Sequence, residues 1–283
     1  MTQRPVAVIG DNTVDRFVGV VGRDYVGGNA VNVAVQLAER GVAVEYYGVV
    51  GDDAAGEWIR SELAARGVGV GGLVTRSGPT ALTVIRVDEG GDRHLEEEHF
   101  GVTAQYVPDG TQLDAMAAAA WVQVGMVPRA SDLRRALRAI RPDLPIGQDC
   151  SVAEGYGDLT VAFESALPTE AASIGATALA RGATYAVVTL GERGSEAFGP
   201  EGAHLHQPAV PVEVVDTTGA GDSFIAGYIS VFLSGGDLAA AMAAGAGWAA
   251  RTCQHVGGFP QDDRPSALGN RTGVLERDKE SMP

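Results

Sequence analysis

The residues best placed to do chemistry lie in Asp216-Thr217-Thr218-Gly219-Ala220-Gly221-Asp222-Ser223-Phe224. A β-branched run over 212–215 ends there at an acidic, hydroxyl-rich turn, and two glycines flanking an alanine follow. Phe224, Tyr228, Val231 and Phe232 then recur at helical spacing, which predicts a helix opening at the Gly-Ala-Gly turn. A helix N-terminus presents free backbone N–H groups and favours an anion. Small residues at that point let a ligand come close to the backbone. A carboxylate among those N–H groups is a poor neighbour for an anion unless it handles a proton. Asp222 is therefore the candidate general base.

Other stretches carry weaker chemical signals. Gly10-Asp11-Asn12-Thr13-Val14-Asp15 follows a short apolar strand predicted over 6–9. Open α/β sheets bind ligands just past the carboxyl ends of their strands, so Asp11 and Asp15 are candidates to hydrogen-bond ligand hydroxyls. Taken singly, each also reads as a solvated turn residue. Gly27-Gly28-Asn29-Ala30-Val31-Asn32 opens a helix predicted to run to about residue 40 and to close at Gly41. The glycine pair permits close backbone approach, and Asn32 falls one turn into the helix. Thr189-Leu190-Gly191-Glu192-Arg193-Gly194 is a turn after a predicted strand. Glu96-Glu97-Glu98-His99 is not a metal cluster, because alternate residues of a strand face opposite ways; it is expected to be a solvated face. His204 and His206 share one face of a short strand with no third ligand near them in sequence, which predicts an exposed edge.

Composition removes several function classes. The net charge of −15 argues against nucleic acid or an anionic membrane as partner. Any phosphate site must then be locally positive through amides, a metal or single arginines. Lys279 is the only lysine, which excludes a Walker A loop, a protein kinase and a lysine Schiff-base enzyme. Cys150 and Cys253 make no disulfide framework and fit a reducing compartment, as small buried hydrophobes. No apolar run reaches about 18 residues and no signal-peptide pattern precedes the first strand, so a cytoplasmic chain without membrane contact is expected. With 283 residues, 45% of them apolar, the chain can build a large core.

The elements that must hold these residues follow from periodicity. A strand over 44–50 leads to Gly51-Asp52-Asp53, which caps a helix through 66. An extended segment is expected over 17–21, and strands over 81–87 and 94–98 flank the hairpin signal Glu89-Gly90-Gly91-Asp92. From Trp121 strands at 121–124, 146–148 and 185–190 alternate with helices near 131–140, capped by Ser131, and 169–180. Such alternation implies a mainly parallel sheet covered on both faces. Gly235-Gly236-Asp237 starts an Ala-rich helix to 251, whose Ala246 and Gly247 are small enough to lie under an adenine ring. Residues 260–283 are polar and aperiodic and are expected to form a disordered tail.

The Asp216–Phe224 motif resembles the C-terminal signature of the ribokinase-like (PfkB) carbohydrate kinases. Gly27-Gly28 with Asn32 resembles that family's N-terminal signature, and Thr189-Leu190-Gly191 with Gly194 resembles its turn bordering the nucleotide phosphates. The resemblance spans roughly residues 5–258. It implies a ribokinase-like three-layer α/β sandwich: a mainly parallel central sheet and a small β-sheet lid, with the kinase domain over 1–259 and the lid drawn from about 12–26 and 79–100. It implies transfer of the ATP γ-phosphoryl group to a primary sugar hydroxyl. Asp222 is then the catalytic base, and the amides of Gly219, Ala220 and Gly221 hold the transferred group. Asp11, Asp15, Gly27, Gly28 and Asn32 hold the sugar. Thr189, Gly191, Gly194, Thr217, Ala246 and Gly247 border the nucleotide. ATP and Mg²⁺ are the implied cofactors, with a monovalent cation such as K⁺ allowed and a homodimer through the lid expected. The family's Asn-x-x-Glu, whose glutamate acts through water on the magnesium, is matched by Leu167-Pro168-Thr169-Glu170, which keeps Glu170 and lacks the asparagine. Ribokinases proper read Gly-Gly-Lys-Gly-Ala-Asn and Gly-Ser-x-Asn-x-Asp. The departures at Asp11-Asn12 and Asn29-Ala30 look more like fructoselysine 6-kinases, which act on the 6-hydroxyl of a fructosamine. The alternatives are a ribokinase, fructokinase or nucleoside kinase, or a non-catalytic sugar-binding relative, against which the intact Asp222 and Gly-Ala-Gly argue.

Overall fold

The computed structural model describes residues 4–19, 21–88, 93–262 and 264–265. Strand β1 (Val6–Ile9) is buried along its whole length, with Val6 and Val8 turned to one core and Ala7 and Ile9 to the other. Two buried faces are the mark of a central parallel strand. The chain then leaves as β2 (Thr13–Gly19) and β3 (Arg23–Gly27), an antiparallel pair, and returns through α1 (Asn29–Ala38) to β4 (Val44–Gly51). Asp53 caps α2 (Ala54–Ala65) by accepting the Gly56 N–H at 2.9 Å. β5 (Gly69–Arg76) follows, then β6 (Leu82–Val87) and β7 (Arg93–His99). Next come α3 (Gly110–Ala117), β8 (Trp121–Val124), α4 (Ala130–Ile140), β9 (Ile146–Asp149), β10 (Val161–Ser165), α5 (Ala171–Ala180) and β11 (Tyr185–Thr189). β12 (Ser195–Phe198) and β13 (His204–Gln207) turn back, α6 (Ala220–Leu233) and α7 (Leu238–Thr252) follow, and β14 (Arg264–Pro265) ends the described chain.

Among the described residues nine strands form the main sheet in the order β13-β12-β11-β10-β9-β8-β1-β4-β5, parallel from β11 to β5. Helices α1, α2, α6 and α7 supply one core, and α3, α4 and α5 the other. The small sheet runs β14-β3-β2-β6-β7 and is antiparallel apart from the β2–β6 pair. This is the three-layer sandwich with a second, smaller sheet that the motifs implied. Among the described residues no helix is long and apolar enough to cross a membrane.

Several local expectations are corrected. β5 was not legible because glycine is poor in strands; here the side chains of Glu45 and Tyr47 fill the places that side chains at Gly69 and Gly72 would take. Ser131 does not cap α4. The N-cap is Arg129 in the left-handed region, and the Ser131 hydroxyl accepts from Arg134 at 3.1 Å. The 212–215 run forms no strand: Val214 and Val215 are exposed, and the N–H of Val215 donates to the Cys253 carbonyl at 2.8 Å. Cys150 and Cys253 are free thiols and only half-buried. The expected tail is ordered through its first residues. The Gln261 side chain accepts the Val26 N–H at 2.9 Å and donates to the Val26 carbonyl at 2.7 Å, and β14 pairs with β3. A side-chain amide thus takes a strand's place on β3, which no apolar period could announce. The hairpin turn 89–92 and residues 266–283 lie outside the described residues.

Candidate active site

β1 is the strand from which the sheet order departs both ways, with β4 on one side and β8 on the other. The crevice at its carboxyl end is where a doubly wound sheet binds its ligand. Gly10 and Gly125, just past β1 and β8, leave room for the start of α1: a Cβ on Gly10 would meet the Ala30 Cβ at 2.8 Å, and one on Gly125 the Asn29 Oδ1 at 2.5 Å. Asp11 anchors that helix end. Its two oxygens accept the Asn29 N–H at 2.9 Å and the Ala30 N–H at 3.2 Å, a favourable place for a carboxylate. Gly28 takes φ 112, and a Cβ there would stand 2.8 Å from the Asn12 Cα, so only glycine fits.

Asp222, in the first turn of α6, is buried with both oxygens engaged. Oδ1 accepts from Asn29 Nδ2 at 2.6 Å and Oδ2 from Asn32 Nδ2 at 2.7 Å. Asn29 Nδ2 also donates to Asp149 Oδ2 at 2.8 Å, across from the end of β9. Burial pushes the Asp222 carboxyl well above the usual carboxylate range, the charge of Asp149 adds to it, and the Asn32 and Asn29 amides pull it back. Burial also raises Asp149 and Asp11. Asp15, packed against Gly27, is pushed up to about 7 by burial and then by the charges of Asp11 and Glu98. Asp11 and Glu98, with Asn12, Thr83 and Phe100, line a cleft between the small sheet and the end of β1.

The Gly-Ala-Gly turn divides its labour. Gly219 sits at φ 74, and a Cβ on it would lie 2.5 Å from the Gly258 Cα. Gly221 is exposed, and a Cβ on it would meet nothing within 4 Å. Asp216 shapes the turn. Its Oδ1 accepts from the Thr218 N–H at 2.9 Å and hydroxyl at 2.8 Å, and its Oδ2 accepts the Gly257 N–H at 2.7 Å. The Ala220 N–H donates to the Thr217 carbonyl at 3.1 Å. Of the three expected anion-hole amides, this one is thus engaged inside the turn.

Thr189 ends β11, its hydroxyl 2.7 Å from that of Ser165. Gly191 (φ 58) and Gly194 (φ 89) make the turn into β12; Gly194 is held against the Gln207 carbonyl, while Gly191 has open space where a side chain would stand. α7 packs against β12 and β13 and carries Ala246 buried and Gly247 open. Thr217 is exposed on the turn. Glu170 is also exposed, and its Oε2 folds back to accept the Leu167 N–H at 3.1 Å. Among the described residues no three His, Cys, Asp or Glu side chains converge as a metal cage.

The fold therefore brings Asp222, Asn32, Gly28 and Asp11 together, with Asp15 one strand further out. Sequence reasoning missed Asn29 and Asp149. Asp149 ends a strand and was open to the same rule that singled out Asp11. Asn29 lies inside a quoted motif, but its partners are 120 and 193 positions away.

The pfkB family carbohydrate kinase model matches residues 20–140 and 159–263. A fructoselysine 6-kinase of Shigella flexneri is 34% identical over 275 residues, 90% of this chain and 100% of that protein. A fructosamine kinase of Bacillus subtilis is 29% identical over 265 residues, 89% of this chain and 91% of that protein. The solved structure of Arabidopsis thaliana ribokinase complexed with ribose and ATP superposes with a TM-score of 0.82 at 20% identity, covering 94% of this chain and 98% of that one. This chain belongs to the pfkB family of carbohydrate kinases and is a phosphotransferase with a hydroxyl acceptor.

Proposed function

We propose that this kinase transfers the γ-phosphoryl group of ATP to the 6-hydroxyl of a fructosamine such as fructoselysine. The observation that carries the chemical part is Asp222, a buried carboxylate held by two asparagine amides in the first turn of α6. Asp222 takes the proton of the acceptor hydroxyl, a task that suits a carboxylate whose proton affinity burial has raised. Phosphoryl transfer passes through a loose transition state, so most of the catalysis is positioning and charge stabilisation. The amides at Gly219 and Gly221 and the positive end of α6 stabilise the charge on the transferred group. Asp11, Asp15, Gly27, Gly28 and Asn32 surround the sugar, while Thr189, Gly191, Gly194, Thr217, Ala246 and Gly247 border the nucleotide.

Mg²⁺ fits as an ion carried by the nucleotide. Mg²⁺ keeps several waters and is bound through phosphates and one or two carboxylates, and the exposed Glu170 is such a carboxylate without a protein cage around it. When bound, the ion neutralises charge on the phosphates.

Support for the substrate comes from the relatives named for fructoselysine and fructosamine and from the carboxylates at the cleft. A fructosamine carries a cationic amine beside its sugar, and Glu98 with Asp11 offers that cation negative neighbours. Sites that pair a polar group reject analogues lacking it strongly, whereas apolar pockets discriminate by only ~1–3 kcal/mol. The test is kcat/KM for fructoselysine, fructose and ribose, measured side by side at saturating Mg-ATP. Fructoselysine should lead clearly, and Glu98→Gln should shrink its lead over fructose. Equal or better use of ribose would overturn the substrate and leave the sugar-kinase assignment standing.

A further inference from the structure

One side-chain amide stands between two carboxylates at the centre of the site. Asn29 Nδ2 lies 2.6 Å from Asp222 Oδ1 and 2.8 Å from Asp149 Oδ2. An amide nitrogen has two hydrogens, so both are committed. The rest of the residue is fixed to keep them there: Oδ1 occupies the space left by the missing side chain of Gly125, and the backbone N–H is held by Asp11. The opposite orientation would turn the amide oxygen toward two carboxylates.

We infer that Asn29 is a positioning residue that divides its amide hydrogens between Asp149 and Asp222 and so sets how readily Asp222 holds a proton. The groups that face Asp222 are Asp149 from β9, Asp11 from the loop after β1, and Asn29 and Asn32 from α1. The two charged ones are both negative, so the asparagine amides, together with the N-terminal end of α6, are what favour the ionised base. Asn32 serves Asp222 alone; Asn29 also holds, along with the Ser151 N–H, the neighbouring carboxylate whose charge opposes ionisation. Losing the Asn29 amide therefore removes a donor and leaves that charge without its shared hydrogen-bond partner. The lost donor acts on Asp222 directly, toward its protonated form, and raises the proton affinity of Asp149 as well. A sugar-contacting asparagine would behave differently, changing KM without moving the base.

The inference rests on Asp222 as the base, and the test separates the two. In Asn29→Ala, helix capping by Asp11 survives because it uses the backbone. With Mg-ATP and fructoselysine, or whichever sugar the unmodified enzyme turns over fastest, kcat should fall about 10- to 100-fold, the effect of losing a hydrogen bond to a charged group. KM for the sugar should hold within about threefold, and the acid limb of the rate profile should move up by about one pH unit. The independent readout is the titration of the Asp222 carboxyl by ¹³C NMR, assigned with Asp222→Asn and measured without substrate. It should move to higher pH in Asn29→Ala, whether or not Asp222 proves to be the base. An unmoved titration overturns the inference, as does a raised sugar KM at unchanged kcat and acid limb. If thermal melting shows that Asn29→Ala does not fold, the isosteric Asn29→Asp is titrated instead. A third carboxyl in contact with those two should move the titration of the coupled group to higher pH, and an unmoved titration again overturns the inference.

Discussion

Substituting the two glycines of the Gly-Ala-Gly turn should separate the chemistry of the turn from its folding. In Gly221→Val, the new Cβ meets no protein atom within 4 Å, and the residue is exposed in the first turn of α6. A surface change of this kind should shift stability by no more than about 0.5 kcal/mol. In the proposed mechanism the same side chain would stand where the transferred group approaches the backbone. Valine keeps the backbone N–H, but its side chain would hold the group away from it, and losing the use of one preorganised donor costs roughly 10²–10³ in rate. Gly219→Ala should do something else. Its φ of 74 is left-handed, at a cost of about 1–2 kcal/mol for a residue with a side chain. The Cβ would also stand 2.5 Å from the Gly258 Cα, backbone that cannot rotate away. Overpacking of that sort adds about 1–3 kcal/mol. The total of about 2–5 kcal/mol is a large part of a typical domain's stability. Urea denaturation midpoints at constant m, with a coupled assay of ADP release, measure both variants. Wild-type turnover in Gly221→Val, or a loss of stability there as large as in Gly219→Ala, would refute the division.

Asp15 is raised to about 7 in the folded chain from an ordinary value of 3.8, so its ionisation opposes folding. The stability lost to it appears as pH rises from about 4 through 7. Asp15→Asn should therefore raise the urea midpoint at pH 8 and leave it nearly unchanged at pH 4; an equal gain at both would contradict this origin. Gln261→Ala removes both hydrogen bonds to Val26, each worth about 0.5–1.5 kcal/mol. Amide hydrogen exchange at Val26 should quicken while exchange in β1 stays unchanged.

The central sheet was legible because its strands are buried on both faces and read as short apolar runs, as at Val6–Ile9 and Trp121–Val124. The turn at Gly219 was legible because glycine, hydroxyl and acid have few reasons to share seven residues. What escaped was set by partners distant in sequence. β5 is glycine-rich because its neighbour β4 supplies the side chains, and Gln261 pairs with a strand 235 positions earlier. Asn29 and Asp149 had local signals, a motif position and a strand end, but nothing local says that they share a hydrogen bond. The second of the turn's amides, Ala220, looked as available as its neighbours until the Thr217 carbonyl was found on it.

The most direct test of the account is Asp222→Asn, assayed for single-turnover and steady-state phosphoryl transfer with Mg-ATP and fructoselysine. The amide keeps the size of the side chain, loses the proton acceptor, and has one accepting oxygen where the carboxylate offered two to Asn29 and Asn32. The account predicts a fall in kcat of about 10²–10⁴ or more with little change in KM for ATP. Turnover at the wild-type rate in a folded Asp222→Asn protein would contradict it.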